Sequence, residues 1–170
     1  LDTRSGLGGS TRLGAGSVVR VPIAGRAGVA GDARAAVVNV TLVTPDAAGY
    51  ATLFPCAAQV PDVSVLNYAA GQTVANNAIA ALSASGEVCV YTSAGADVLV
   101  DVTGWLGASA GSRMVPLGPT RSVDTRSGLG GSRRVAAGST TRFDLTAALA
   151  PQSTAVAVNL TALTPANAGF

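Results

Sequence analysis

The sequence predicts an all-β fold, an antiparallel β-sandwich with Greek-key or jelly-roll-like connections, and a closed barrel or a three-sheet β-prism are the alternatives. Two features carry this expectation. Period-two alternation of apolar and polar residues runs along the chain in short segments, each bounded by Gly, Pro, Asn or Asp. Apolar residues make up 48% of the chain but aromatics only 4%, so the core is built from small Ala and Val side chains. Faces of that kind pack two sheets closely.

A third feature divides the chain. LDTRSGLGGS at 1–10 returns as VDTRSGLGGS at 123–132, with nine of ten positions identical. The likeness continues from TRLGAGSVVR (11–20) to RRVAAGSTTR (133–142), and from AAVVNVTLVTPDAAGY (35–50) to AVAVNLTALTPANAGF (155–170). The offset falls from 122 to 120, which puts a two-residue deletion between about Pro22 and Arg34. This is one module of about 120 residues followed by the opening of a second. The expected division is a first module over 1–106, a Gly/Ser/Ala linker over 107–113, and the N-terminal half of a homologous module over 114–170. MVPLGPTRS (114–122) reads as a short strand entering a turn. Copy one has no counterpart of it, so both chain ends are expected to be crops.

Strands are expected at Ser17–Ile23, Ala35–Thr44, Tyr50–Phe54, Val63–Tyr68, Val74–Leu82, Val88–Thr92 and Val98–Trp105. Pro22 suits an edge or a strand end, because it brings no N–H to a ladder. In the second strand Val38, Val40 and Leu42 share one face, and Asn39 and Thr41 the other; Pro45-Asp46 closes it as a turn. Val74–Leu82 has spacing compatible with a short helix too, and strand is preferred because its neighbours need partners. Ser83–Gly86 reads as a tight hairpin into Val88–Thr92. In the last strand Val98, Val100 and Val102 point one way, and Leu99, Asp101, Thr103 and Trp105 the other. In copy two only Thr146–Ala150 hints at a helical turn.

Charge is sparse, with 11 basic and 9 acidic residues and a net charge of +2. Every basic residue is Arg, a usage typical of GC-rich genomes, and the arginines are scattered. A nucleic-acid footprint needs clustered positive charge, so no nucleic-acid partner is expected. No apolar run reaches the length of a membrane helix. Histidine is absent, which removes Ser-His-Asp and Cys-His catalysis within this chain. The sole Glu, Glu87, stands beside an expected turn. The chain reads as non-enzymatic and without a cofactor.

Cys56 follows YATLFP and Cys89 lies in EVCVYT. A disulfide between neighbouring strands of a secreted protein is the preferred pairing, and two buried thiols are the alternative. Two cysteines without histidine offer too few ligands for a metal. The repeated Asp-Thr-Arg has two readings. Asp2 or Arg4 contacts a ligand, with Asp a calcium oxygen donor; or Asp2 with Arg4, and Asp124 with Arg126, form a structural turn latch. The latch is preferred. Gly6, Gly8 and Gly9 lack the lysine and the strand–helix context of a phosphate loop. Asn39-Val-Thr41 and Asn159-Leu-Thr161 fit a glycosylation pattern but fall in mid-strand, where cross-strand hydrogen bonding is the usual role. Tyr50, Tyr68, Tyr91 and Trp105 are candidates for a sugar-contacting face, although core capping is the commoner use of such residues.

With these segments in hand (DTR, NVT, PDAAGYATLFPC, VSVLNYAAGQTVANNAIAAL, GEVCVYTSAGADVLVDVTGWL and MVPLGPTRSVDTR) the chain resembles the LDTR-type tandem module of secreted and cell-surface actinobacterial proteins. Those modules run as a "PxRLLDTR" opening, a "VLNVTxTxPxxxGYLTVYPCG" centre, an "SNLNYxxGQTVAN" stretch and a closing "VDVxGYF". The resemblance covers 1–106 and 114–170. It departs at Gly104-Trp105-Leu106, where Gly-Tyr-Phe is usual, and at Val123-Asp124, where Leu-Asp is usual; both changes are apolar for apolar. The resemblance implies secretion, tandem repetition, a β-rich fold and attachment beside enzymes or adhesive regions, without a defined activity. The expected function is a non-catalytic structural or adhesive repeat of an extracellular surface protein or filament, assembling with other copies by β-strand complementation. A carbohydrate-binding module of a secreted hydrolase, with surface glycans as partners, is the alternative.

Overall fold

The computed structural model describes residues 1–56, 59–111, 121–131, 133–158, 160–163 and 165. The chain separates into two units, Leu1–Arg113 and Met114–Phe170.

The first unit is a β-sandwich of seven strands: β1 (Ser17–Pro22), β2 (Ala33–Val43), β3 (Gly49–Pro55), β4 (Leu66–Tyr68), β5 (Val74–Ala81), β6 (Glu87–Thr92) and β7 (Asp97–Gly107). One sheet has the order β1-β6-β3-β4 and the other β5-β2-β7. Every pairing is antiparallel. Two open sheets face each other, so neither a closed barrel nor a three-sheet prism is formed. The chain changes sheet at five of its six connections; only β3 and β4 are consecutive neighbours. Ser83–Gly86 is therefore not a hairpin. It carries the chain from β5 in one sheet to β6 in the other, with the Gly86 N–H on the Ser83 carbonyl at 2.9 Å.

Alternation sets the core. Val38, Val40 and Leu42 on β2, Val88 and Val90 on β6, and Val98 on β7 are fully buried between the sheets. Each buried Val or Leu contributes about 1.5–3 kcal/mol relative to exposure. Two threonines are buried as deeply, and their hydroxyls are satisfied. Thr92 Oγ1 lies 2.7 Å from the Tyr68 hydroxyl and donates to the Ala94 carbonyl at 2.8 Å. Thr52 Oγ1 donates to the Val63 carbonyl. Among the described residues no buried side-chain polar atom lacks a partner.

Simple alternation fails at one place in β7. The register passes from Val38↔Val102 to Val37↔Gly104, so Thr103 is an extra residue, a β-bulge. Its hydroxyl reaches the Val37 carbonyl at 3.2 Å. The bulge reverses the side-chain order beyond it. Trp105 thus pairs with the fully buried Ala36 and packs against the core, rather than sharing the outer face with Leu99 and Asp101. Asp101 faces outward opposite Asn39, which is itself opposite Asn77 of β5.

The expected linker over 107–113 is partly built into the first unit. Gly107 ends β7, and Ser109 donates to Asp32 through its N–H at 2.8 Å and its hydroxyl at 2.6 Å. In the second unit the described residues include the isolated bridge Asp124↔Leu129 and one 3-10 turn, Thr146–Ala148. Residues 114–120 of the strand and turn expected over 114–122, and Asn159, lie outside the described residues.

Candidate functional site

The Asp-Thr-Arg turn is built the same way twice. Asp2 Oδ1 accepts from the Arg4 N–H at 3.0 Å and from Arg4 Nε at 3.0 Å, and Oδ2 accepts from the second guanidinium nitrogen at 2.7 Å. Asp124 accepts the same three bonds from Arg126 at 3.0, 3.0 and 2.6 Å. This is a forked, charge-assisted pair closed over two residues. The arginine holds each carboxyl below the ordinary aspartate value and is itself raised. The chain then returns through Gly-Leu-Gly-Gly, with φ of +71°, +87° and +80° at Gly6, Gly8 and Gly9, and +80°, +80° and +78° at Gly128, Gly130 and Gly131. Left-handed backbone at three of four positions is why glycine recurs there. Every lone pair used by the arginine is one fewer for an incoming cation, so the carboxylates are occupied as they stand.

In the first unit this turn is docked by a residue that sequence reasoning passed over. Thr3 is buried; its hydroxyl donates to Asp97 at 2.8 Å and accepts from the Val98 N–H at 2.9 Å. Its own N–H donates to the Val98 carbonyl at 3.1 Å, and Leu1 exchanges two 3.0 Å bonds with Val100. Residues 1–3 thus pair along the free edge of β7. Arg12 is the second such residue. Its guanidinium donates to Asp97 at 2.9 Å, Asp46 at 2.7 Å and the Thr44 carbonyl at 2.8 Å, tying the start of the chain to the turn after β2. Both carry a signal in the repeat: Thr3 recurs as Thr125 and Arg12 as Arg134.

Cys56 and Cys89 form a disulfide, with Cα atoms 4.9 Å apart across 33 residues of sequence. It links the end of β3 to the adjacent β6 and contributes on the order of 3–4 kcal/mol by loop-closure entropy. A structural disulfide belongs to an oxidising compartment. Among the described residues no helix is long and apolar enough to cross a membrane.

The four candidate aromatics do not gather on one face. Tyr68 is buried between the sheets, and Trp105 packs on the core from the other sheet. Tyr50 and Tyr91 do meet, with ring centroids 5.7 Å apart and planes at 46°. They lie on the outer face of the four-stranded sheet. Tyr50 is paired in register with Asn67 of β4, and Tyr91 with Thr52 of β3. Two depressions stand out among the described residues of the first unit. The larger, about 760 Å³, runs past residues 9–14, β1, Phe54, Val60 and Cys89. Its charged residues are committed elsewhere, Arg12 as above and Arg20 to Glu87 at 3.2 Å. The smaller, about 270 Å³, is lined by Tyr50, Asp62, Val63, Ser64 and Asn67.

Asn39 donates to Thr41 Oγ1 at 3.4 Å within its own strand. Among the described residues no group of three His, Cys, Asp or Glu side chains is placed to hold a metal. The chain matches no protein-family model, and no curated protein or solved structure is significantly similar to it.

Proposed function

We propose that this chain is a non-catalytic structural or adhesive repeat of a secreted, cell-surface protein, and that its modules associate with other copies by β-strand complementation. The single observation that carries the reading is the Asp-Thr-Arg turn formed twice in one chain with the same three hydrogen bonds. A device needed once per module is a structural element of the module; a ligand site need not be repeated so closely beside segments that diverge. The disulfide supports the extracellular placement.

Association through strands is supported by the edge of β7. Residues 1–3 pair with it only as far as Val100. Beyond that point it has no partner among the described residues, and Val102 is 41% exposed although it stands opposite the fully buried Val38. An inward position left open beside an unpaired edge is where an added strand gains both main-chain bonds and burial.

The test is negative-stain imaging of the purified protein, with mass measurement under non-reducing conditions. Regular filaments or discrete oligomers are expected. A monomer at all concentrations overturns the association, and a spacer role is what then survives.

A further inference from the structure

The small depression beside Tyr50 brings an aromatic face together with polar side chains that have no hydrogen-bond partner among the described residues. Asp62, Ser64 and Asn67 line it with Tyr50 and Val63. No side-chain hydrogen bond or ion pair to another described residue engages Asp62, Ser64 or Asn67. Tyr50 and Val63 are exposed, the latter by 60%, so the apolar part of the surface is accessible too.

The depression is held in shape from several sides. The loop that carries Asp62 and Ser64 leaves β3 at the disulfide-bonded Cys56. The Val63 carbonyl between them takes the Thr52 hydroxyl. The Val65 N–H donates to the Ala51 carbonyl at 2.8 Å, and the Val65 carbonyl accepts from Asn76 at 2.7 Å. Asn67 is in β4, opposite Tyr50. Tyr91 leans on Tyr50 from β6. The backbone that carries these groups is held in this way, which lowers the ordering cost of binding.

We infer that this depression is a sugar-binding subsite, taking a single neutral or amino sugar ring, with Tyr50 under the ring and Asp62, Ser64 and Asn67 on its hydroxyls. The inference goes beyond the structural role proposed above and does not depend on it. A pyranose has C–H faces that lie on an aromatic ring and an equator of hydroxyls that need both donors and acceptors. Tyrosine supplies the first. A carboxylate, a hydroxyl and an amide supply the second. At about 270 Å³ the volume lies just below the roughly 300–1,000 Å³ range of small-molecule sites, which suits one ring rather than a chain of rings buried together. Asp62 gives the sign of the charge preference. Its carboxylate repels an acidic sugar and attracts an ammonium group, which the tyrosine face also favours. Tyr91, beside it, is the main cause that raises the Tyr50 phenol above its ordinary value, with burial next and Asp62 a smaller addition.

The experiment is ligand-observed saturation-transfer NMR on the intact 170-residue chain, titrated with glucose, N-acetylglucosamine, glucosamine and, as the acidic control, N-acetylneuraminic acid. At least one of the first three is expected to bind saturably with a Kd of about 1–10 mM, while the acidic sugar gives no saturable signal. Tyr50→Ala is expected to weaken that binding at least about tenfold, Asp62→Asn to reduce the preference for glucosamine, and Tyr50→Phe to retain binding. Far-UV circular dichroism and an intact disulfide establish that each variant is folded. Absence of saturable binding by all three sugars overturns the subsite, as does binding that a folded Tyr50→Ala variant leaves unchanged. Neither result bears on filament formation, which is read by imaging.

Discussion

The two copies of the repeated sequence share a turn and differ in almost everything around it. Asp2–Arg4 and Asp124–Arg126 close with the same three hydrogen bonds. The segments further on do not behave alike. Val38 and Val40 in copy one are fully buried in the long strand β2, whereas their counterparts Val158 and Leu160 are 64% and 88% exposed, and Ala155–Val158 forms no strand. The chemistry of the two segments is nearly the same, so composition does not account for the difference. What differs is the company. β2 is held between β5 and β7, and among the described residues no strand pairs with Ala155–Val158. A turn whose bonds all close within five residues forms wherever its sequence occurs. A strand whose bonds are all to other strands forms only where those strands are.

This contrast is open to direct attack, beginning where the effect is largest. Leu42→Ala, at a fully buried position, is expected to destabilise the first unit by about 2–5 kcal/mol. Leu160→Ala should change stability by no more than about 0.5 kcal/mol. Urea denaturation of the two variants measures both, and equal effects would mean that copy two has a packed strand after all. Replacing Cys56 and Cys89 together by Ser should lower the stability of the first unit by about 3–4 kcal/mol and leave the amide shifts of residues 123–131 unmoved.

Thr3→Val tests whether docking separates the two turns. In the first unit it strips the Val98 N–H and Asp97 of a partner, with an expected loss of about 1–3 kcal/mol; Thr125→Val should sit within about 0.5 kcal/mol of the parent. The smallest effect is in the latches themselves. Both carboxyls are held below the ordinary value of 3.8 by their arginines. The stabilisation is therefore fully present above that value and is lost as the pH falls through each depressed pKa. Carbon-detected NMR titration should place both midpoints below 3.8. In Arg4→Ala the Asp2 midpoint should rise toward that value while Asp124 stays where it was. Movement of both would show that the latches are coupled.

The seven strands were legible because most of them alternate apolar and polar residues over short runs set off by turn-forming residues. Their bounds differ from expectation by a residue or two, except β4, which shortens to Leu66–Tyr68; ahead of it the Val63 carbonyl takes the Thr52 hydroxyl. The Asp–Arg pair and the disulfide were legible as well, the first from repetition and the second from the count of cysteines. Thr3 and Arg12 were not singled out, since their partners Asp97, Val98, Asp46 and Thr44 lie 32 to 95 residues away. Nor was the Tyr50 depression, which assembles two strands and a loop.

Local chemistry was enough to mark the strands of the first unit and to close the Asp-Thr-Arg turn, because both signals lie in residues a few positions apart. Sheet membership was decided by the tertiary structure. A turn such as Ser83–Gly86 serves equally well within a sheet or between two, and only the packing of β5 and β6 against different neighbours settles it. The same holds for Trp105. One extra residue at Thr103 turned it from the solvent face to the core, and a bulge is a property of two strands in register, which neither strand encodes alone.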